Sequence, residues 1–296
     1  MSEPKPSYHA SPRKPRLALP ARACDSHCHV FGPARVFPFA ENSPFKPADA
    51  PKEKLFALHA LLGIERCVIV QSTCHGYDNA VVADALAAKN GTYLGIALVP
   101  TDVSDAELRR LHAQGFRGAR FNFMKHLGRG AKIADVVAFG DRLADLGWHL
   151  QVHFESSLIA ELAPVLRRSA VPVVIDHMGR VDAALGTDQP DFQLLRKLLE
   201  DDRFWVKVSG SERSSQQPAP YLDAIPFARM LVAEFPDRTL WGTDWPHPNL
   251  ACAIPDDGDL VDLLAEIAPT ESQRHALLVA NPQRLYQFQE QAGANV

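Results

Sequence analysis

Two histidines one residue apart, His27 and His29, stand in the run DSHCH. Side chains alternate along an extended strand with a period of two, so both imidazoles would share a face. Further groups able to do chemistry follow: Gln71-Ser72-Thr73-Cys74-His75, Arg120-Phe121-Asn122, His153, Asp176-His177, Ser209-Gly210-Ser211-Glu212-Arg213 and Thr243-Asp244. Asp244 lies in WGTDWPHPN, where two tryptophans would partly desolvate its carboxylate. Desolvation raises a carboxylate pKa, whereas a neighbouring imidazolium or metal lowers it. Imidazoles gathered around one carboxylate suit proton transfer to and from water, or the binding of a metal ion.

These groups share one position: each closes a short apolar run. The runs are 23–29, 66–71, 93–98, 117–121, 148–154, 171–176, 204–209 and 239–244. Such near-continuous runs, rich in Val and Ile, are typical of strands covered on both faces. Helix-like segments lie between them near 51–63, 78–90, 104–114, 133–146, 156–168, 190–201, 220–235 and 257–268. Asp105, Asp135 and Asp257 read as helix starts, and Gly63, Gly115 and Gly147 fall near helix ends. Strand–helix alternation implies parallel pairing, because parallel strands need long crossovers. Eight such units predict an α/β fold of the (β/α)8 TIM-barrel kind, whose active groups project from the C-terminal strand ends. An open doubly wound sheet competes, but no Gly-rich phosphate loop follows the first run. Seven of the eight strand ends then aim ionisable or hydroxyl groups at one mouth.

The first 20 residues carry five prolines and read as an extended arm; 21–296 read as a single barrel domain, with 271–290 forming a C-terminal helical cap. Of 296 residues, 46% are hydrophobic and 22% charged, which excludes a disordered chain or a coiled coil. The net charge of −4 argues against a nucleic-acid partner. No stretch approaches the roughly 20 apolar residues of a membrane span. Five cysteines without a disulfide framework suggest reduced thiols and a cytoplasmic location.

At these residues the chain resembles the amidohydrolase superfamily, and within it the group of 2-pyrone-4,6-dicarboxylate lactonase and 4-sulfomuconolactone hydrolase. The matching motifs are DSHCHVFGP (25–33), QSTCHGYDN (71–79), GARFNF (118–123), VIDHMGR (174–180) and LWGTDWPHPN (240–249). The likeness runs from about residue 12 to residue 288. It implies an amidohydrolase-type barrel that hydrolyses a small anionic lactone in aromatic-compound catabolism. Asp244 would be the general base for water attack, with His27, His29 and His177 around the water and the lactone carbonyl. Thr73, Arg120 and Arg213 would hold the substrate's anionic groups, with Asn249 nearby.

Two positions depart from that pattern. Where a second arginine is expected after the RFNF segment stands His126, with Lys125 and Arg129 beside it; where a tyrosine is expected at the end of strand five stands His153. Both would then face the substrate. His153 also completes a set, with His27, His29 and Asp244, that a single Zn²⁺ would accept while keeping a water position open. Strand four ends in Arg120 and offers no lysine to bridge two metals. The expectation is therefore no required cofactor, or one Zn²⁺. A 4-sulfomuconolactone hydrolase with a mononuclear zinc site is the alternative reading. A metal-dependent decarboxylase, a non-catalytic acid-binding protein and a sugar-lactone isomerase stand behind it. A homo-oligomer is open.

Other residues take plain readings. His9, His59, His112 and His275 fall in arm or helix segments and read as solvated. His75 and His247 sit in loops with no fixed direction. Tyr221 and Lys207 have only their nearness to Arg213 in the chain.

Overall fold

A computed structural model describes residues 6–124, 130–250 and 252–289. Eight parallel strands pair in chain order: β1 (Cys24–Cys28), β2 (Arg66–Val70), β3 (Tyr93–Ala97), β4 (Phe116–Phe123), β5 (His149–Phe154), β6 (Val173–Ile175), β7 (Phe204–Lys207) and β8 (Thr239–Leu240). The ring closes where β1 meets the segment after β8. The Ser26 amide donates to Trp241 O at 2.8 Å, and the Asp244 amide to His27 O at 2.7 Å. The predicted (β/α)8 barrel is therefore the observed fold. Helices return between successive strands, among them Lys52–Leu62, Asp105–Ala113 and Pro190–Leu199.

Period-two alternation separates two apolar layers. Cys67, Ile69, Leu150, Val152, Phe204 and Val206 pack outward under the helices. Cys24, Val68, Val70, Leu94, Val174 and Leu240 form a second cluster, stoppered by Leu285, Tyr286 and Phe288 from beyond the helix Asn281–Tyr286 and within it. Higher in the barrel the inward positions turn polar. The β4–β5 register sets Arg120 opposite Gln151 and Asn122 opposite His153. A one-residue slip in any strand would carry these groups to the apolar outer face.

Local boundaries differ from the sequence expectation for identifiable reasons. Regular pairing in β8 stops at Leu240, because the chain then turns and Asp244 adopts a φ of 60°. Helix caps lie one residue before two of the expected starts: Ser104 accepts from the Glu107 amide, and Asp256 from the Gly258 amide. A short polar side chain just outside the helix satisfies an otherwise unpaired N–H.

Residues 6–20 carry no helix or strand and lie along the segment after β8. The Tyr8 ring stands 5.1 Å from that of Trp245. Asp262 accepts from the Arg16 and Leu17 amides at 2.8 and 2.9 Å and pairs with the side chains of Arg13 and Arg16. No described helix is long and apolar enough to cross a membrane.

Candidate active site

At the C-terminal mouth of the barrel, His29, Thr73, Arg120, His153, His177, Arg213, Asp244 and Asn249 line one cleft. His27 lies directly beneath, fully buried. His126, with Lys125 and Arg129, lies outside the described residues. Every other site residue singled out from the sequence meets in this one place.

Asp244 is at the centre. Its Oδ1 lies 3.2 Å from His29 Nε2, 3.6 Å from His27 Nε2 and 3.7 Å from His177 Nε2. Its Oδ2 accepts from Arg213 Nε, and the same guanidinium donates to Pro248 O at 3.0 Å. Burial alone would raise the Asp244 carboxyl. The Arg213 guanidinium, with His177 and His29 beside it, outweighs that and holds it well below the usual carboxylate range. Arg213 thus grips the carboxylate as well as lining the cleft. His29 Nδ1 lies 2.7 Å from Val70 O, which can only accept, so Nδ1 bears hydrogen and Nε2 is the nitrogen facing Asp244.

A buried carboxylate in β1 sets this geometry. Asp25 Oδ1 accepts from the His27 and Thr243 amides at 2.9 and 3.1 Å, and Oδ2 accepts from the Thr243 hydroxyl at 2.6 Å. Gly242 allows the approach, since a Cβ there would come within 2.4 Å of the His27 amide. On the far side His177 Nδ1 meets Ser209 Oγ at 3.1 Å. Gly210, at φ 78°, follows; a Cβ there would come within 2.9 Å of His177 Cβ. Burial holds the His177 and His153 imidazoles well below their usual pKa, so both are neutral.

In the floor of the site, sequence reasoning named Asp176 but gave Lys207 and Gln151 no part. Lys207, wholly buried in β7, donates to Gln151 Oε1 at 2.8 Å and to His27 Nδ1 at 3.1 Å. Asp176 Oδ2 accepts from Arg120 Nε at 2.9 Å and from Gln151 Nε2 at 3.1 Å. Burial would raise Asp176, but His27, Lys207 and Arg120 hold it well below the usual range. Burial lowers Lys207 to about 8, which leaves it charged at neutral pH. Burial, then the adjacent Lys207 charge, lowers His27 to about 3. Arg180 was missed as well. His177, Met178, Gly179 and Arg180 all have φ between 49° and 62°, and this left-handed run turns Arg180 back over the cleft. Its pKa, lowered by burial to about 10, keeps it cationic.

One histidine departs from its sequence reading, and two whose direction the sequence left open take a definite place. His59 is buried, not solvated, with Nδ1 2.7 Å from Tyr93 OH and Nε2 3.2 Å from Asp25 Oδ2. His247 points away from the cleft to Asp257 Oδ1 at 3.2 Å. His75 lies 3.0 Å from Pro38 O.

Two groups bring potential metal donors within 4.8 Å of one another: His27, His177 and Asp244, and separately Cys28, His59 and Cys67. The trio keeps His27 and Asp244 of the set expected from the sequence and has His177 in place of His29 and His153. Both ring nitrogens of His59 already have partners, and burial pushes the Cys28 thiol up to about 11. At the mouth the charge balance does not suit a divalent ion. The cleft is lined by three guanidinium groups, Arg120, Arg180 and Arg213, and one carboxylate, Asp244. That excess suits an anion.

Known proteins share this arrangement of chain. The sequence is 47% identical over 289 residues to 2-pyrone-4,6-dicarboxylate hydrolase of Comamonas testosteroni, covering 94% of each. It is 42% identical over 276 residues to 4-sulfomuconolactone hydrolase of Rhizobium radiobacter, covering 91% of each. A crystal structure of a probable 2-pyrone-4,6-dicarboxylic acid hydrolase from Acinetobacter baumannii, with citric acid bound, superposes with a TM-score of 0.81. It is 27% identical and covers 90% of this chain and 100% of that one. A family profile described as Amidohydrolase matches residues 24–288, which takes in all eight strands and Asp244. With the family profile and these relatives matching nearly its whole length, the chain belongs to the amidohydrolase family.

Proposed function

We propose that this protein is a hydrolase that opens a small dianionic lactone, with 2-pyrone-4,6-dicarboxylate as substrate and 4-sulfomuconolactone as the competing one. The observation that carries the reading is a carboxylate ringed by three imidazoles inside a mouth holding two more cations than anions. The names of the two relatives support it. Both lactones are cyclic esters with two anionic groups, and guanidinium forks bind carboxylate and sulfonate in the same bidentate way.

In this mechanism Arg120 and Arg180 receive the two anionic groups, with Thr73, His153 and Asn249 at the edges of the cleft. Asp244 Oδ1 takes a proton from water as the water oxygen attacks the lactone carbonyl. N–H groups of the histidine ring face the oxyanion that forms. Collapse breaks the ring C–O bond, and the proton held at Asp244 passes to the departing ring oxygen. Resting Asp244 is too weak a base, because Arg213 holds it low. A dianion in the cleft competes for the Arg213 N–H groups and adds like charge, and both effects raise Asp244 toward a useful basicity.

The proposal includes no metal, since the cation excess already supplies what a Lewis acid would. All five cysteines are free, four of them buried, which suits the cytoplasm as the proposed location. The test is a comparison of the dicarboxylate with its monocarboxylate analogues on chelator-treated protein. A drop in kcat/KM of about tenfold or more per missing charge is expected. Equal use of both would contradict the dianion reading.

A further inference from the structure

We propose that Lys207 is a positioning residue that fixes His27 as the Nε2–H tautomer, so that His27 offers a hydrogen, not a lone pair, beside Asp244. An ammonium has three hydrogens to donate and no lone pair to accept with, so each neighbour must present an acceptor. Lys207 Nζ has three neighbours at bonding or ion-pair distance: Gln151 Oε1 at 2.8 Å, His27 Nδ1 at 3.1 Å and Asp176 Oδ1 at 3.4 Å. His27 Nδ1 is therefore bare, and the hydrogen of the neutral ring resides on Nε2. The rival acceptor for an Nδ1 hydrogen is Asp176 Oδ1, 3.2 Å away. No hydrogen bond of acceptable angle runs from the ring to that oxygen, which faces the Lys207 ammonium at 3.4 Å.

His27 Nε2 is itself buried without a hydrogen-bond partner and faces Asp244 Oδ1 at 3.6 Å. An unpaired buried donor is costly unless something completes it. Under the lactone-hydrolase reading, on which this step of the inference rests, the substrate carbonyl oxygen completes it. The same tautomer closes His27 to metals, which need a lone pair on nitrogen. The His27, His177 and Asp244 trio is then a cluster with metal-site spacing whose first member is locked against ligation from behind.

The first test uses chelator-treated, full-length protein labelled with ¹⁵N-histidine. Two-bond ¹H–¹⁵N correlation spectra report the tautomer of each ring, and His27 is identified by the peaks lost in His27→Gln. The Nε2–H pattern is expected for His27 in the wild type; an Nδ1–H or doubly protonated ring overturns the proposal. This result needs no substrate and no Lys207 variant, so it is independent of whether any lactone is turned over. The second test compares Lys207→Met with wild type by zinc titration calorimetry and kinetics. The variant is expected to gain at least about tenfold in zinc affinity and to lose kcat about 10–100-fold with little change in KM. Unchanged zinc affinity in a folded Lys207→Met protein overturns it.

Discussion

The Thr243 hydroxyl donates to Asp25 Oδ2 at 2.6 Å, so the loop that holds Asp244 and the strand that holds His27 share one buried carboxylate. Thr243→Val keeps the shape and removes the donor. A loss of about 1–3 kcal/mol is expected, the cost of leaving a buried acceptor short of a partner. Thermal unfolding measures it, and an unchanged melting temperature would show that the tie is dispensable.

Asp244→Asn should lower kcat by about 10²–10⁴-fold, the usual range for loss of a general base. Substrate binding should persist, because the Arg213 guanidinium is freed for the ligand. Calorimetric titration with substrate separates the two effects; loss of binding with kcat preserved would place Asp244 outside the chemistry.

Arg180 makes no hydrogen bond or ion pair with any described residue, yet it lines the cleft with its charge retained. Arg180→Met is expected to raise KM by about 10–100-fold, the worth of one charge-assisted contact. Arg180→Lys should restore part of the loss. Steady-state kinetics of the pair decide, and an unchanged KM in Arg180→Met would remove Arg180 from substrate binding.

Asp262 fastens the N-terminal arm. Burial would raise its carboxyl, but the Leu17 amide and the Arg13 and Arg16 side chains bring it down to about 2. A folded pKa below the unfolded value of about 3.9 stabilises the folded form above pH 4, and the benefit is lost as pH falls toward 2. The arm should therefore loosen across that interval, and in Asp262→Asn already at neutral pH. Tryptophan fluorescence reads this through Trp245, against which Tyr8 packs. An unchanged spectrum in Asp262→Asn would refute the fastening.

Much of the mouth was legible in the chain because strand ends in a parallel barrel share one side, so His27, His29, His177 and Asp244 converge without knowledge of any loop. Lys207 was hidden for a physical reason. In FWVKVS a lysine in an apolar strand looks like an outward snorkelling residue, and only its phase with Trp205 shows that it points into the barrel. Arg180 depended on successive left-handed residues, of which Gly179 alone is suggestive in sequence. His59 was misread as solvated because its helix carries little amphipathic signal, while its partners Tyr93 and Asp25 come from other elements. Arg213 was read as a substrate anchor, yet its first partner is Asp244, a contact between residues 31 apart that no local pattern encodes.

The central claim is metal-independent opening of a dianionic lactone by Asp244 and the histidine ring. Its most direct test follows pyrone absorbance when chelator-treated protein meets 2-pyrone-4,6-dicarboxylate, with and without added Zn²⁺, and with 4-sulfomuconolactone in a parallel arm. The expected result is rapid turnover of one of these lactones without metal and no gain from zinc. Turnover only after zinc is added, or none of either lactone under both conditions, would contradict it.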